Sequence, residues 1–273
     1  MNRNGILVIV VVLLSTAGFT QAQDGELSGT VDVTYLSSYI WRGFDYYAND
    51  HSAIQASIDT DLYGTGFGVK VLSGRAISSG FENSEDLDVT LYYSNSLFEG
   101  ETYVTNYKTG WVYYGYPDEP RSGSASGTAA DMQEIFATFS WPEICPEGVV
   151  PSYTAVSMWP SEGESTVRNN GGWLHIFGLG YDLTVQGLTP DVPEQTLRLS
   201  ASVVYNDGAA PGTVSTGATV DHDWSHAVFG VSTDFDLGDN LIFTPGVYHQ
   251  VSMDDSVNTE NETWASLSMK YAF

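Results

Sequence analysis

The side chains best suited to chemistry in this sequence are a few basic residues set among many carboxylates. The chain has 273 residues and carries 34 Asp and Glu against 9 Lys and Arg, a net charge of −25. Five basic residues fall where apolar and polar residues alternate, each out of phase with its apolar neighbours: Arg42, Lys70, Lys108, Arg198 and Lys270. Successive side chains of a strand point to opposite faces, so all five are predicted to share the polar face of a sheet.

Carboxylates on the same polar face are the expected partners of these cations. We predict that Asp32, Asp88 and Asp234 face the basic residues across a wet interior. Two interpretations remain open at this stage. The ion pairs could brace the interior, or the basic residues could form a track that selects anionic solutes, as charged rings do in pores.

Other groups of side chains are weak candidates for a metal or catalytic site. His222 and His226, with Asp221 and Asp223, are ligand types that transition metals accept, but they fall on a predicted loop that would not hold them together. Nucleophile elbows, zinc-binding helices and phosphate-binding glycine loops are absent from the sequence. We therefore predict no catalytic residue, no metal site and no cofactor. The acidic composition also argues against nucleic acid as a partner, because binding to phosphates requires basic patches.

The elements that position these residues are strands. About twelve segments alternate between apolar and polar residues, the pattern of half-buried strands. They lie near residues 30–42, 52–61, 65–73, 85–95, 101–113, 130–141, 151–159, 171–185, 194–206, 223–236, 240–252 and 262–273. The connections between them tend to alternate between long and short along the chain.

Alternating long and short connections are typical of barrels that cross the bacterial outer membrane, and strands of 9–11 residues match a tilted crossing. We predict an all-β fold: a transmembrane up-and-down antiparallel β-barrel of about twelve strands, forming one domain over residues 23–273. The apolar face of each strand would meet lipid and the polar face would line the interior. A soluble all-β sandwich or barrel of the periplasm is the alternative.

Both ends of the chain support export to the outer membrane. Residues 1–22 have the order of a secretory signal peptide, with an apolar run from Ile6 to Leu14 and a cleavage position after Ala22. An uncleaved membrane anchor is the alternative. The last strand alternates and ends on Phe273, the aromatic terminus by which the barrel-assembly machinery recognises its substrates, so we expect that machinery as a partner.

Two stretches resemble the TorF-like porins of bacterial outer membranes. Tyr39-Ile40-Trp41-Arg42-Gly43-Phe44 matches the aromatic-x-aromatic-Arg-Gly ending of that family's first strand. Residues 53–59 and 64–69 match its second strand and the glycine turn that follows. His51-Ser52 stands where the family has Lys-Pro, and Ala56 stands where it has Gly. The resemblance implies an outer-membrane channel and supplies no catalytic residues.

These observations together predict a porin-like channel for passive diffusion of ions or small polar solutes, embedded in outer-membrane lipids. The alternative is a non-conducting scaffold or adhesin that acts through acidic extracellular loops. Those loops carry Asp118, Glu119, Glu162, Glu164, Asp221, Asp223, Asp254, Asp255, Glu260 and Glu262. A third hypothesis, an outer-membrane phospholipase, would require a serine beside His175 or His249, and the strand spacing places none there. We therefore predict that the protein is not an enzyme.

Overall fold

The structure is a computed structural model that describes residues 26–118, 131–161, 171–187, 193–210 and 220–273. The predicted signal peptide, residues 1–22, lies outside the described residues, as do Glu119, Glu162 and Glu164 of the predicted acidic loops. Within the described ranges, no helix has the length and apolar character needed to span a membrane.

Strands account for nearly all the regular structure of the described chain, which also contains one 3-10 turn at Glu82–Ser84. The strands are β1 (Ser28–Leu36), β2 (Ile40–Trp41), β3 (Phe44–Asp45), β4 (Ala53–Asp61), β5 (Phe67–Ala76), β6 (Asp86–Leu97), β7 (Thr105–Gly115), β8 (Met132–Ser140), β9 (Val149–Pro160), β10 (Gly172–Gln186), β11 (Glu194–Asp207), β12 (His222–Thr233), β13 (Phe235–Gly238), β14 (Leu241–Ser252) and β15 (Glu262–Ala272).

Twelve of these strands form a closed antiparallel barrel, which confirms the predicted fold class. Each barrel strand pairs with its neighbour in chain order, β1 pairs with β15, and β12 pairs with β14. Strand β13 pairs with the beginning of β14, whereas β2 and β3 form a separate two-stranded hairpin. Closure leaves no free sheet edge, so the backbone groups of the wall are satisfied without water.

The two faces of the wall differ as the alternation predicts. Val31 and Val33 on β1 are 41% and 46% exposed, while Asp32 between them is less accessible. Cross-strand partners share a face, and Asp32 pairs with Lys270 on one side and with Ser57 on the other. The inner face therefore carries the polar residues of these strands, and the outer face carries apolar side chains suited to lipid.

The barrel has two distinguishable ends. We call the end where β1 begins and β15 finishes the turn end, and the opposite end the loop end. At the turn end, β13 and β14 are joined by Asp239 and Asn240, both with positive φ, as tight hairpin turns require. The long connections lie at the loop end, including the one that follows β1.

The predicted extent of the first strand is wrong. The alternation suggested a first strand over residues 30–42, with Arg42 in the barrel wall, but β1 ends at Leu36. The chain then leaves the wall and forms the β2–β3 hairpin before β4 begins at Ala53. Alternation alone could not reveal this departure, because the hairpin continues the same aromatic–polar pattern that precedes it.

Candidate functional site

The hairpin of β2 and β3 is folded against the inner wall at the loop end. Trp41 pairs with Phe44, and the two residues between them, Arg42 and Gly43, have φ values of 54° and 95°. Positive φ at both central positions is the geometry of a type I′ hairpin turn. The aromatic-Arg-Gly motif is therefore the tip of an inserted hairpin, which we call the inner hairpin.

Aromatic side chains hold the inner hairpin in place. The Trp41 ring lies 5.1 Å from that of Tyr114 on β7, and the Tyr47 ring lies 5.4 Å from that of Phe81. Tyr47 is fully buried. Buried residues from five wall strands and from the connections beside them also pack around the hairpin. They are Val112, Tyr114, Tyr116, Met132, Val156, Met158, Leu174, Val204 and Ala209. A hydrophobic cluster thus fills one side of the barrel interior at the loop end.

An ion pair fixes one side of the hairpin tip. Arg42 Nη2 lies 3.2 and 3.1 Å from Oε1 and Oε2 of Glu134 on β8, and the Glu134 side chain is 3% exposed. The Arg42 guanidinium also lies 5.9 Å from the centroid of the Trp41 ring. A buried carboxylate is stable only when its charge is balanced and its oxygens are hydrogen-bonded, so Glu134 depends on Arg42.

Hydrogen bonds fix the other side of the tip. The Gly43 carbonyl accepts from Gln250 Nε2 on β14 at 2.8 Å and from Asn258 Nδ2 at 3.2 Å. A Cβ at position 43 would lie 2.6 Å from Nδ1 of His226, so only glycine fits between the tip and β12. The hairpin consequently contacts β8, β12 and β14, of which β8 lies nearly opposite β1 in the barrel.

Carboxylates collect around the inner hairpin at the loop end. Asp86 and Asp88 lie within the first three residues of β6, and each has one buried side-chain oxygen without a hydrogen-bond partner among the described residues. Asp45 on β3 has a buried oxygen of the same kind. Burial raises the pKa of Asp45, and this effect is opposed by a hydrogen bond from the Asp50 backbone N–H. Carboxyl groups therefore predominate around the hairpin at this end of the interior.

The other four predicted basic residues lie towards the opposite end of the interior from these carboxylates. Lys70, Lys108, Arg198 and Lys270 lie on the inner face within four residues of the turn end of their strands. Arg198 forms an ion pair with Asp234 at 2.8 Å. Lys270 is paired in register with Asp32, which accepts a hydrogen bond from Ser268. The interior thus combines an acidic loop end with a mixed turn end.

Some predicted relationships differ from those observed. The alternation predicts that Arg42 faces Asp32, Asp88 or Asp234 from a barrel strand, but Arg42 lies on the hairpin and pairs with Glu134. Lys70 is paired in register with Asp59, which is not one of the three aspartates predicted to face the basic residues. The sequence does not mark Glu134 as an inner residue, because the inner positions beside it on β8, Met132 and Phe136, are apolar where they pack near the hairpin. The usual polar signature of an inner face is absent there.

The histidines occupy unrelated positions. His226 is buried beside the hairpin tip, where its Nδ1 lies 2.6 Å from Ser225 Oγ. His222 is exposed and contacts Asp207. His175 and His249 are hydrogen-bonded to Tyr153 and Thr263. Across the described ranges, no group of three or more His, Cys, Asp or Glu residues is arranged to hold a metal ion.

A closed twelve-stranded barrel with an apolar outer face and a charged inner face is the fold of bacterial outer-membrane porins. The chain belongs to the Gcw_chp family of bacterial proteins of unknown function, whose family model matches residues 20–165. No curated protein matches the chain.

Two solved porins share this fold at low sequence identity. The KdgM porin is 12% identical, with a TM-score of 0.51 over 89% of this chain and 99% of that one. The NanC porin is 8% identical, with a TM-score of 0.50 over 89% of this chain and 98% of that one. At these identities the likeness concerns the fold alone.

Proposed function

We propose that the protein is an outer-membrane, porin-like channel for passive diffusion of ions or small polar solutes. The observation that carries the proposal is the distribution of side chains on the wall, with apolar residues outside and charges inside. The likeness of Tyr39–Phe44 to TorF-like porins, the exported N-terminus expected for residues 1–22 and the terminal Phe273 support the same location. The last strand would be the segment read by the barrel-assembly machinery.

Arg42, Lys70, Lys108, Arg198, Lys270, Asp32, Asp88 and Asp234 would line the path of the solute. The inner hairpin would narrow that path at the loop end, because it crosses the interior and is anchored on both sides of its tip. Its acidic surroundings would concentrate cations at this constriction. We therefore expect a narrow channel that prefers cations, in which the ion pairs near the turn end mainly brace the wall.

A second candidate is a non-conducting scaffold or adhesin, and the buried aromatic contact around the inner hairpin favours it. If the hairpin and the loops close the interior completely, the exposed acidic loops would be the functional surface. The two functions differ in one property, the existence of a continuous water path through the barrel.

Planar-bilayer recording of the refolded protein distinguishes them. Folding would first be verified by heat-modifiable migration on a gel. Discrete current steps, with a reversal potential of cationic sign under a salt gradient, are the expected result. Folded protein that inserts but conducts no current would contradict the channel and favour the scaffold.

A further inference from the structure

A polar basin lies on the inner wall near the turn end, away from the inner hairpin. It is a cavity of about 330 Å³ on β6, β7 and β8. Register pairs arrange its inner residues in two rows across the three strands, Ser94–Lys108–Thr138 and Ser96–Asn106–Ser140. Five neutral hydroxyl or amide side chains therefore line the basin together with Lys108.

Lys108 differs from the other inner basic residues. Arg42 and Arg198 form ion pairs, and Lys70 and Lys270 each have an aspartate directly opposite in register. The direct partners of Lys108 are Ser94 and Thr138, neither of which is a carboxylate. The charge of Lys108 is therefore available to a ligand.

Tyr92 holds the Lys108 ammonium in place. Lys108 Nζ lies 3.5 Å from the centroid of the Tyr92 ring, a cation–π contact. The Tyr92 hydroxyl donates to Asp59 Oδ1 at 2.7 Å, which fixes the ring. Gly68 makes room for this ring, because a Cβ there would lie 2.1 Å from Tyr92 Cζ. The ammonium is thus positioned by a neutral ring rather than neutralised by a carboxylate.

The neutral side chains supply both donors and acceptors. Ser96 Oγ donates to Asn106 Oδ1 at 2.7 Å, which leaves the Asn106 amide nitrogen without an acceptor among the described residues. Thr138 shares a hydrogen bond with Thr154 at 2.9 Å. The basin has room for several water molecules, or for a solute about the size of a monosaccharide.

We propose that this basin binds a small hydroxylated monocarboxylate on its way through the channel, an inference that rests on the proposed function. Lys108 Nζ binds the carboxylate by a charge-assisted hydrogen bond, and Asn106 with the surrounding hydroxyls binds the hydroxyl groups of the solute. The single ammonium and the nearby Asp59 favour a monoanion over a dianion. The basin then acts as an anion-binding step inside an otherwise acidic barrel.

D-gluconate is a suitable probe, and sorbitol is its neutral control. In KCl, gluconate added to each side of the bilayer in turn should reduce the current of the wild-type channel saturably, whereas sorbitol at equal osmolality should not. Lys108→Gln should weaken the apparent affinity for gluconate by about tenfold, as loss of one charge-assisted hydrogen bond predicts. Lys270→Gln removes the same charge elsewhere on the inner wall, so equal weakening in both variants would overturn the assignment to Lys108.

Calorimetry of gluconate binding to the detergent-solubilised protein tests this proposal separately from the proposed function. If the protein conducts KCl but gluconate neither blocks the current nor releases heat, the basin is not a binding site while the channel stands. If no current is seen but gluconate binds and Lys108→Gln weakens that binding about tenfold, the basin stands while the channel fails. Thr138→Val, which changes a hydroxyl and keeps the charge, should weaken gluconate binding less than Lys108→Gln, and an equal or larger loss would contradict the role of Lys108.

Discussion

The guanidinium of Arg42 contacts both carboxylate oxygens of Glu134, although 92 positions separate these residues in the chain. The contact joins the tip of the inner hairpin to the wall strand β8, across the interior from the strand that carries the hairpin. Because Glu134 is nearly inaccessible to water, neither residue can keep its environment without the other. The pair is therefore the main electrostatic tie between the hairpin and the wall.

Glu134→Gln should release the hairpin tip. The substitution preserves shape but leaves the Arg42 charge inside the barrel without a counter-charge, which costs on the order of 3 kcal/mol at buried sites. We expect faster hydrogen exchange of residues 40–45 and a larger or noisier single-channel current. The double variant Arg42→Gln/Glu134→Gln should lose less than the sum of the single losses, because both single variants break one interaction. Additive losses would show that the pair does not tie the hairpin.

Gly43→Ala should disturb the hairpin both by backbone strain and by a steric clash, and a control variant separates these two effects. Position 43 has a φ of 95°, and an added Cβ would meet His226. Gly64, in a turn-end connection, has a φ of 67° and no atom within 4 Å of its hypothetical Cβ. Gly64→Ala should therefore cost only about 1 kcal/mol of backbone strain. A larger loss of thermal stability, with altered exchange at residues 40–45, is expected for Gly43→Ala alone.

Acidification should strengthen docking of the hairpin through Asp45. Burial raises the pKa of this carboxyl above its value in the undocked chain, although a hydrogen bond from the Asp50 backbone N–H opposes the shift. A raised pKa means that the docked state is favoured below the undocked pKa and loses that stability as the pH rises through the docked value.

Hydrogen exchange at residues 40–45, corrected for its intrinsic pH dependence, measures this effect. Protection should decline as the pH rises from about 4, the ordinary pKa of aspartate, towards neutrality. Asp45→Asn should flatten the decline, whereas Asp239→Asn at the opposite end should leave it unchanged. An unaltered decline in Asp45→Asn would assign the pH dependence to other carboxylates.

The assignment of the inner and outer faces of the wall can be tested by placing an arginine at each of two adjacent residues in turn. Leu91 lies on the outer face of β6 and is 48% exposed, whereas Thr90 lies on the inner face. An arginine on the lipid-facing side near the middle of the bilayer costs about 2–4 kcal/mol. Leu91→Arg should therefore impair folding into vesicles, measured by heat-modifiable migration, while Thr90→Arg should fold. The opposite ranking would invert the two faces.

The barrel could be predicted from sequence because alternation and connection length are local signals. The inner hairpin could not, because Tyr39, Trp41 and Phe44 would have looked the same in a strand facing lipid. Only contacts with distant residues such as Tyr114 and Gln250 decide that the segment lies inside. The prediction that the basic residues share the polar face followed from phase alone, but their partners depend on register and on the hairpin. Glu134 is the clearest example.

The central claim is that the protein is a channel narrowed by its inner hairpin, and deletion of the hairpin tests it most directly. Leu36 and Ala53 are paired in register, so a two-residue Asn-Gly turn can replace residues 37–52 without disturbing the wall. Single-channel conductance of the two folded proteins is the measurement. We predict a small cation-preferring conductance for the full chain and a clearly larger one for the deletion variant. Equal conductances, or silence from both folded proteins, would contradict the account.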